Sequence, residues 1–411
     1  MRIVKAMIAV TFASFMLIGC GAEEREEVIR EENPVVETAP ESAAETAESE
    51  NPAEEQSMEV YLPDAEHVKQ IGRTEFLEDT LWMAFSGSGA EFQFTGKKAV
   101  ITFQGDSASL RVGNVDNHAR IAIYVNGERV IDDMIDRAEK SYTVVESDTE
   151  EECTIRIIKL SETAMSTVGI KKIETDGEAL IQPAEERDYL IEFIGDSITC
   201  GYGVDDEDRN HHFSTRTEDV TKTYAYKTAE ALNADYSMVS ISGYGVISGY
   251  TADGSEKVTA QTLPQYYEKL GFSYGQYLGQ APQDYSWDFS GREPDLIVVN
   301  LGTNDDSYTL TDGERQEEFQ AAYAAFIGQI RSCNPNAEIV CTLGIMGDRL
   351  YPYVEQAVEA YTAQTGDERV SAMRFDPQSA ADGYAADWHP TEATHQKAAE
   401  KLTEYIERLL E

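Results

Sequence analysis

The chain is short of positive charge. Its 411 residues carry 33 Lys and Arg against 76 Asp and Glu, a formal net charge of -43 at pH 7. Nucleic-acid partners need a basic face to meet phosphates, and this balance excludes them. Cysteine is scarce too: Cys20, Cys153, Cys200, Cys333 and Cys341 are scattered without metal-ligand spacing. A Cys333–Cys341 bridge in an exported chain and buried free thiols both stay open as readings. Apart from Ile8 to Ile18, which is too short to span a bilayer as a mature helix, the ends carry no long apolar run. No internal repeat is apparent.

What is present begins with an address. Arg2 and Lys5 precede the apolar run, and Leu17-Ile18-Gly19-Cys20 closes it. That tetrapeptide resembles the bacterial lipoprotein cleavage box. The resemblance implies a signal peptide over 1–20, lipidation of Cys20 and a stable membrane anchor on the extracytoplasmic side, at the cell surface or facing the periplasm. Residues 21–58 are rich in Glu and Ala and almost free of aromatics. Such a stretch cannot bury enough apolar surface to order itself, and its charges repel, so we expect a disordered acidic tether.

Residues 59–183 read as all-β. Glu91–Phe94 and Ala99–Phe103 alternate with period two, Ala119–Val125 returns through Asn126-Gly127, and Cys153–Leu160 and Val168–Ile173 continue the pattern. The spacing predicts a β-sandwich. It serves either as a carbohydrate-facing accessory domain or as a packing domain that completes a cleft. From about 188 to 411 the grammar changes. Tyr189–Ile194, Ala234–Ile241, Pro294–Leu301, Ala337–Leu343 and Val370–Phe375 read as buried strands between helical stretches, the last near Thr391–Leu410. This predicts a three-layer α/β domain with a mostly parallel sheet.

Chemistry-bearing residues gather at the strand ends. The first strand runs into Gly195-Asp196-Ser197, the second into Ser242-Gly243-Tyr244-Gly245, and the third into Gly302-Thr303-Asn304-Asp305. Asp387-Trp388-His389-Pro390 precedes the last helix. Open α/β folds bind ligands at this edge. The set is what acyl transfer needs: Ser197 as nucleophile, His389 as base, and Asp387 as candidate acceptor on the other imidazole nitrogen. The backbone N–H groups of Ser197 and Gly243 and the amide of Asn304 supply oxyanion donors.

These blocks resemble the SGNH, or GDSL, hydrolase superfamily. More narrowly, residues 59–411 look like carbohydrate esterase family 2, through Gly195–Gly203, Val299–Asp305, Trp82, Ser86–Gly89 and Trp287–Ser290. The resemblance implies an N-terminal jelly roll joined to an SGNH domain, a serine esterase removing acetyl groups from acetylxylan- or glucomannan-type polysaccharide, and no metal or organic cofactor. The superfamily usually has its acid three residues before the histidine, where this chain has Ala386. Within family 2, an acid two residues before it or a backbone carbonyl holds the ring, so Asp387 and a carbonyl both remain candidates.

Trp388, Tyr244 and Trp287 are the aromatics expected to meet sugar, with Tyr202 behind them. Asp196 and Asp305 read as loop supports, His395 as a surface or packing histidine, and His211-His212 as loop residues without metal spacing. Gly271–Gly275 matches a nucleophile elbow around Ser273 but lacks the strand before it, Gln265–Leu270 reading helical. Two rival functions stand beside polysaccharide deacetylation: hydrolysis of acetylated cell-envelope glycan or of small or lipid esters, and non-catalytic surface glycan binding.

Overall fold

The computed structural model describes residues 57–111 and 113–410. The expected signal peptide, Cys20 and the tether up to residue 56 lie outside the described residues.

Period-two burial builds the first half from ten strands: β1 Glu59–Tyr61, β2 Lys69–Ile71, β3 Thr74–Leu77, β4 Thr80–Met83, β5 Gly89–Gly105, β6 Ala119–Val125, β7 Glu128–Ile135, β8 Glu139–Lys159, β9 Val168–Thr175 and β10 Gln182–Pro183. They pair antiparallel in the order β3-β4-β9-β5-β8-β6-β7, with β1 on β9 and β2 and β10 on β5. Where the sequence suggested short strands at Glu91–Phe94 and Ala99–Phe103, the chain forms one strand of 17 residues, and Cys153–Lys159 is the end of one of 21. The register between β5 and β8 shifts at Gly96/Lys98 and Ala99/Val100. Such irregularities bend a ladder without ending it. The sheet thus stays continuous around a core that includes Phe92, Phe103, Ile121, Ile155 and Ile170. The β6–β7 turn is the expected one: Asn126 and Gly127 have φ of 50° and 85°, the left-handed pair a two-residue hairpin loop requires.

The second half holds β11 Leu190–Gly195, β12 Asp235–Ser240, β13 Leu296–Asn300, β14 Glu338–Leu343 and β15 Val370–Arg374, all parallel, in the order β12-β11-β13-β14-β15. All of β13 and nearly all of β11 are buried, as a parallel sheet covered on both faces demands. The helices are α1 Ser197–Cys200, α2 Tyr224–Ala231, α3 Thr303–Thr309, α4 Gly313–Cys333, α5 Tyr351–Thr365 and α6 Glu392–Leu410. One face packs on α2 and α6, the latter through Ala398, Leu402 and Ile406; the other packs on α4 and α5. Gln265–Leu270 is not helical beyond a single 3-10 turn at Leu263–Gln265.

The two halves share their cores. Phe85 packs with the α4–α5 side, and Ile71, Ala122, Ile158 and Leu160 with the α2–α6 side. Ion pairs cross the junction with the cation on the β side: Lys69–Asp235 at 2.6 Å, Arg73–Glu192 at 3.2 Å, Arg120–Asp205 and Arg129–Asp219 at 2.7 Å. In the parallel sheet β11 lies between β12 and β13, so the winding direction reverses there. The carboxyl ends of β11 and β13 flank the crevice where such sheets place ligands.

Candidate active site

Beyond β11 the chain must turn sharply. Gly195 permits this, because a Cβ there would collide with the side chain of Thr199. Asp196 then caps α1 by accepting the N–H of Ile198 at 3.0 Å, and Ser197 becomes the first residue of that turn. Its hydroxyl lies 2.9 Å from Nε2 of His389, which arrives from the segment before α6. Both side chains are nearly buried, 7% and 9% exposed, at the floor of the crevice.

The other imidazole nitrogen corrects one expectation. Nδ1 of His389 donates to the backbone carbonyl of Ala386 at 3.2 Å, not to Asp387. The backbone explains why. Asp387 and Trp388 both have left-handed φ, 48° and 64°, which non-glycine residues adopt at a cost of about 1–3 kcal/mol each. This turn swings the Asp387 carboxylate away from the ring. Its oxygens instead accept the Tyr202 hydroxyl at 2.6 Å and face Nδ1 of His212 at 2.9 Å. Tyr202 in turn stacks on the His389 ring, centroids 3.9 Å apart and planes 17° from parallel. Burial pushes the imidazole down to about 4, against the Ala386 carbonyl and the Asp387 charge. Burial pulls the Asp387 carboxyl up, but its hydrogen bonds outweigh that and hold it below its usual range.

The oxyanion donors are placed unequally. The N–H groups of Ser197 and Gly243 have no acceptor among the described residues. Gly243 has φ 80°, which only glycine adopts freely. Asn304 departs from the expectation of a free donor. Its amide donates to the Tyr244 carbonyl at 2.9 Å and to Asp196 at 3.2 Å, so both hydrogens are engaged. Asp305 accepts the N–H groups of Val246, Ile247 and Ser248 and fixes the loop after Gly243. Burial raises Asp196 to about 7 and Asp305 to about 6.

The aromatics separate. Trp388 is half exposed beside the histidine, with Tyr384 at 5.2 Å and the Arg209 guanidinium 4.2 Å over its ring. Tyr244 is 3% exposed and packs on Tyr266 and Phe272, leaving no face for a sugar. Trp287 lies at the opposite, amino-terminal edge of the parallel sheet, over Arg73. There it lines a cavity of about 550 Å³ with Lys69, Asp235, Ser237, Phe289 and Arg292, remote from Ser197. Ser273 is buried among loops and bonded to Gly275 and Ala164. His395 is fully buried rather than on the surface, and its Nδ1 accepts the N–H of Tyr224. His211 pairs with Asp206, and no three potential metal ligands cluster among the described residues. Cys153, Cys200, Cys333 and Cys341 are free thiols.

Sequence reading missed one group entirely: Glu162, from the loop between β8 and β9. It is fully buried, and its carboxylate accepts the N–H of Ser242 at 2.9 Å. Flanked by Ser161 and Thr163, it carries no signal that separates it from a solvated loop.

A serine with an imidazole on its hydroxyl and unpaired N–H groups beside it, on the carboxyl edge of a parallel sheet, defines an SGNH-type α/β serine hydrolase. Residues 193–397 match the GDSL-like Lipase/Acylhydrolase family, and residues 70–184 match the Carbohydrate esterase 2 N-terminal family. The first match lies on the α/β half and the second on the β half. The chain is 30% identical over 333 residues to the cellulase/esterase CelE of Acetivibrio thermocellus, covering 80% of this chain and 37% of that one. The chain therefore spans well under half of that relative's length. It is 26% identical to an acetylxylan esterase / glucomannan deacetylase of Cellvibrio japonicus, covering 84% of this chain and 89% of that one. Among solved structures, the acetyl xylan esterase Est2A from the rumen bacterium Butyrivibrio proteoclasticus aligns with a TM-score of 0.76 at 26% identity, over 86% of this chain and 98% of that one.

Proposed function

We propose that the protein is a serine esterase that removes O-acetyl groups from polysaccharide of the acetylxylan or glucomannan type. The observation that carries the chemistry is the 2.9 Å contact between Ser197 Oγ and His389 Nε2, with the Ala386 carbonyl on Nδ1. That carbonyl fixes the tautomer in which Nε2 is an acceptor. The Ser197 hydroxyl adds to the acetyl carbonyl as its proton passes to Nε2. Negative charge forms on the carbonyl oxygen, where the N–H groups of Ser197 and Gly243 meet it. Asn304 joins them by releasing the longer of its two bonds, to Asp196. Collapse breaks the ester bond, and the imidazolium gives its proton to the departing sugar oxygen, which leaves as a hydroxyl. Water then attacks the acetyl-serine with His389 again as base, and acetate leaves. Trp388, exposed beside the histidine, is the aromatic surface available to the polymer. The relatives named as acetylxylan esterases support this substrate class.

The test is acetate release from acetylated xylan, glucomannan and peptidoglycan, with Ser197→Ala beside the parent. Release from the plant polymers, lost in the variant, is the expected result. Release from peptidoglycan alone would overturn the substrate and keep the mechanism.

We also read Cys20 as the lipid attachment point, supported by Arg2, Lys5, the apolar run and the Leu17–Cys20 box. Cys20→Ser is expected to abolish incorporation of labelled fatty acid and to shift the protein out of the membrane fraction. Labelling that survives the substitution would overturn it.

A further inference from the structure

Glu162 belongs to the β half yet reaches the reaction site. Besides the Ser242 N–H, its carboxylate lies 3.9 Å from Sγ of Cys200, the last residue of the turn that Ser197 begins. One carboxylate therefore touches both segments that carry unpaired oxyanion donors: α1, which begins with Ser197, and the Ile241–Ser242 peptide, the one immediately before the Ser242–Gly243 peptide. Its own backbone is fixed in turn. The N–H of Glu162 donates to Glu218 at 2.9 Å, and its carbonyl accepts Nζ of the fully buried Lys159 at 2.6 Å. The Glu218 carbonyl accepts the Arg120 guanidinium at 3.0 Å.

An acidic group without contact to water is costly to keep, and packing alone is served better by an apolar side chain. What the carboxylate does that a leucine cannot is accept the Ser242 N–H. Gly243 has no Cβ, and nothing lies within 4 Å of where one would be. Side-chain packing therefore cannot aim its peptide. The loop is instead gripped from two sides, by Glu162 before Gly243 and by Asp305 after it.

We propose that Glu162 is a positioning residue for ester hydrolysis: it sets the Ser242–Gly243 peptide so that the Gly243 N–H meets the oxyanion, and the β half thereby completes the reaction site. This rests on the reading of Ser197 and Gly243 under Proposed function. The β half is then no mere neighbour of the catalytic half.

The test uses the purified full chain and 4-nitrophenyl acetate, a substrate that needs no sugar subsite. Glu162→Ala is expected to lower kcat by ~10–100-fold with KM within about twofold, the signature of a misaimed oxyanion donor. Inhibition by a boronic acid, which forms a tetrahedral adduct on the serine, is expected to weaken in parallel. Glu162→Gln keeps an acceptor in place and is expected to retain a third or more of kcat. Should Glu162→Ala fail to fold, Glu162→Asp, whose shorter side chain withdraws the acceptor, is compared with Glu162→Gln. A tenfold or larger kcat gap between those two supports the proposal, and equal kcat overturns it. Parent-like kcat in folded Glu162→Ala also overturns it. Turnover absent in the parent, or surviving Ser197→Ala, removes the esterase reading and this inference with it. Turnover lost in Ser197→Ala but unchanged in the Glu162 variants removes this inference alone.

Discussion

The two edges of the parallel sheet treat buried charge in opposite ways. At the amino-terminal edge Arg73, Lys69 and Arg292 each face a carboxylate. Arg73 is fully buried, donates to the carbonyls of Tyr267 and Lys269 and to Glu192, and lies among the rings of Tyr267, Trp287 and Phe289. Lys69 and Arg292 both hold Asp235. At the carboxyl edge, beside ion pairs such as Arg129–Asp219, carboxyl groups are also buried near one another. Burial lifts Asp196, and the nearby Asp305 lifts it further. Burial likewise lifts Glu162 and Glu218, Glu218 further through Glu162 and both against the pull of Lys159, which burial pushes down to about 8. Donors are left unpaired there, and two consecutive residues hold strained φ. One edge is arranged for stability and the other for reactivity, as expected where perturbed groups cluster at functional sites.

Substitutions at the two edges should therefore fail differently. Ser197→Ala gives the largest effect on rate, a loss of at least ~10⁴-fold in kcat with the melting temperature unmoved; aryl-acetate turnover and a thermal melt measure both. Asn304→Ala follows, at ~10²–10³-fold in kcat, since it removes one oxyanion donor and the bond to the Tyr244 carbonyl. Across the sheet the pattern inverts. Arg73→Met leaves buried Glu192 without its cation, with only the Tyr267 and Ser237 hydroxyls as donors, and takes the guanidinium from two carbonyls; it is expected to cost about 3–5 kcal/mol of stability. Denaturant unfolding reads that loss, while kcat of the folded fraction stays near the parent value. A large kcat loss in Arg73→Met would erase the distinction between the edges.

The same contrast explains what the sequence could reveal. Ser197, Gly243, Asn304 and His389 were legible because a parallel sheet brings successive strand ends to one edge, so position along the chain implies position in space. Ser197 and His389 do meet. The β/α division was legible through period, although the two stretches Glu91–Phe94 and Ala99–Phe103 form one strand, β5, and Cys153–Lys159 is the end of a longer one, β8. Side-chain direction was not legible. Asp387 stands two residues before the histidine, but two left-handed residues turn it toward Tyr202. Trp287 suggested a sugar contact, yet its ring and that of Phe289 lie against a guanidinium contributed 214 and 216 positions earlier in the numbering. Glu162 was invisible because only the packing of the two halves buries it.

Two smaller effects concern the histidine. His389 must be neutral to accept the serine proton, and its folded value lies near 4 rather than 6.5. kcat/KM on 4-nitrophenyl acetate should therefore persist as pH falls through the usual histidine range, and decline only near 4. An acid limb centred at 6.5 would mean that the ring is more exposed to water than the structure places it.

Asp387→Asn gives the smallest change and the most pointed one. In a Ser-His-Asp triad the same substitution costs ~10⁴-fold in kcat, because the ring is left in the wrong tautomer. Here the Ala386 carbonyl holds Nδ1, and a carbonyl cannot change its role. The loss should stay below ~10-fold, well short of a triad acid. Its sign on the pH profile is also fixed. The Asp387 charge favours the imidazolium, so removing it moves the acid limb to lower pH, by less than about one pH unit given the distance implied by the missing hydrogen bond. The Tyr202 hydroxyl keeps an acceptor in the asparagine carbonyl, so the stacked ring remains in place. A ~10⁴-fold loss would instead show that the carboxylate swings onto Nδ1 when substrate binds, and that the ring is held by an acid after all.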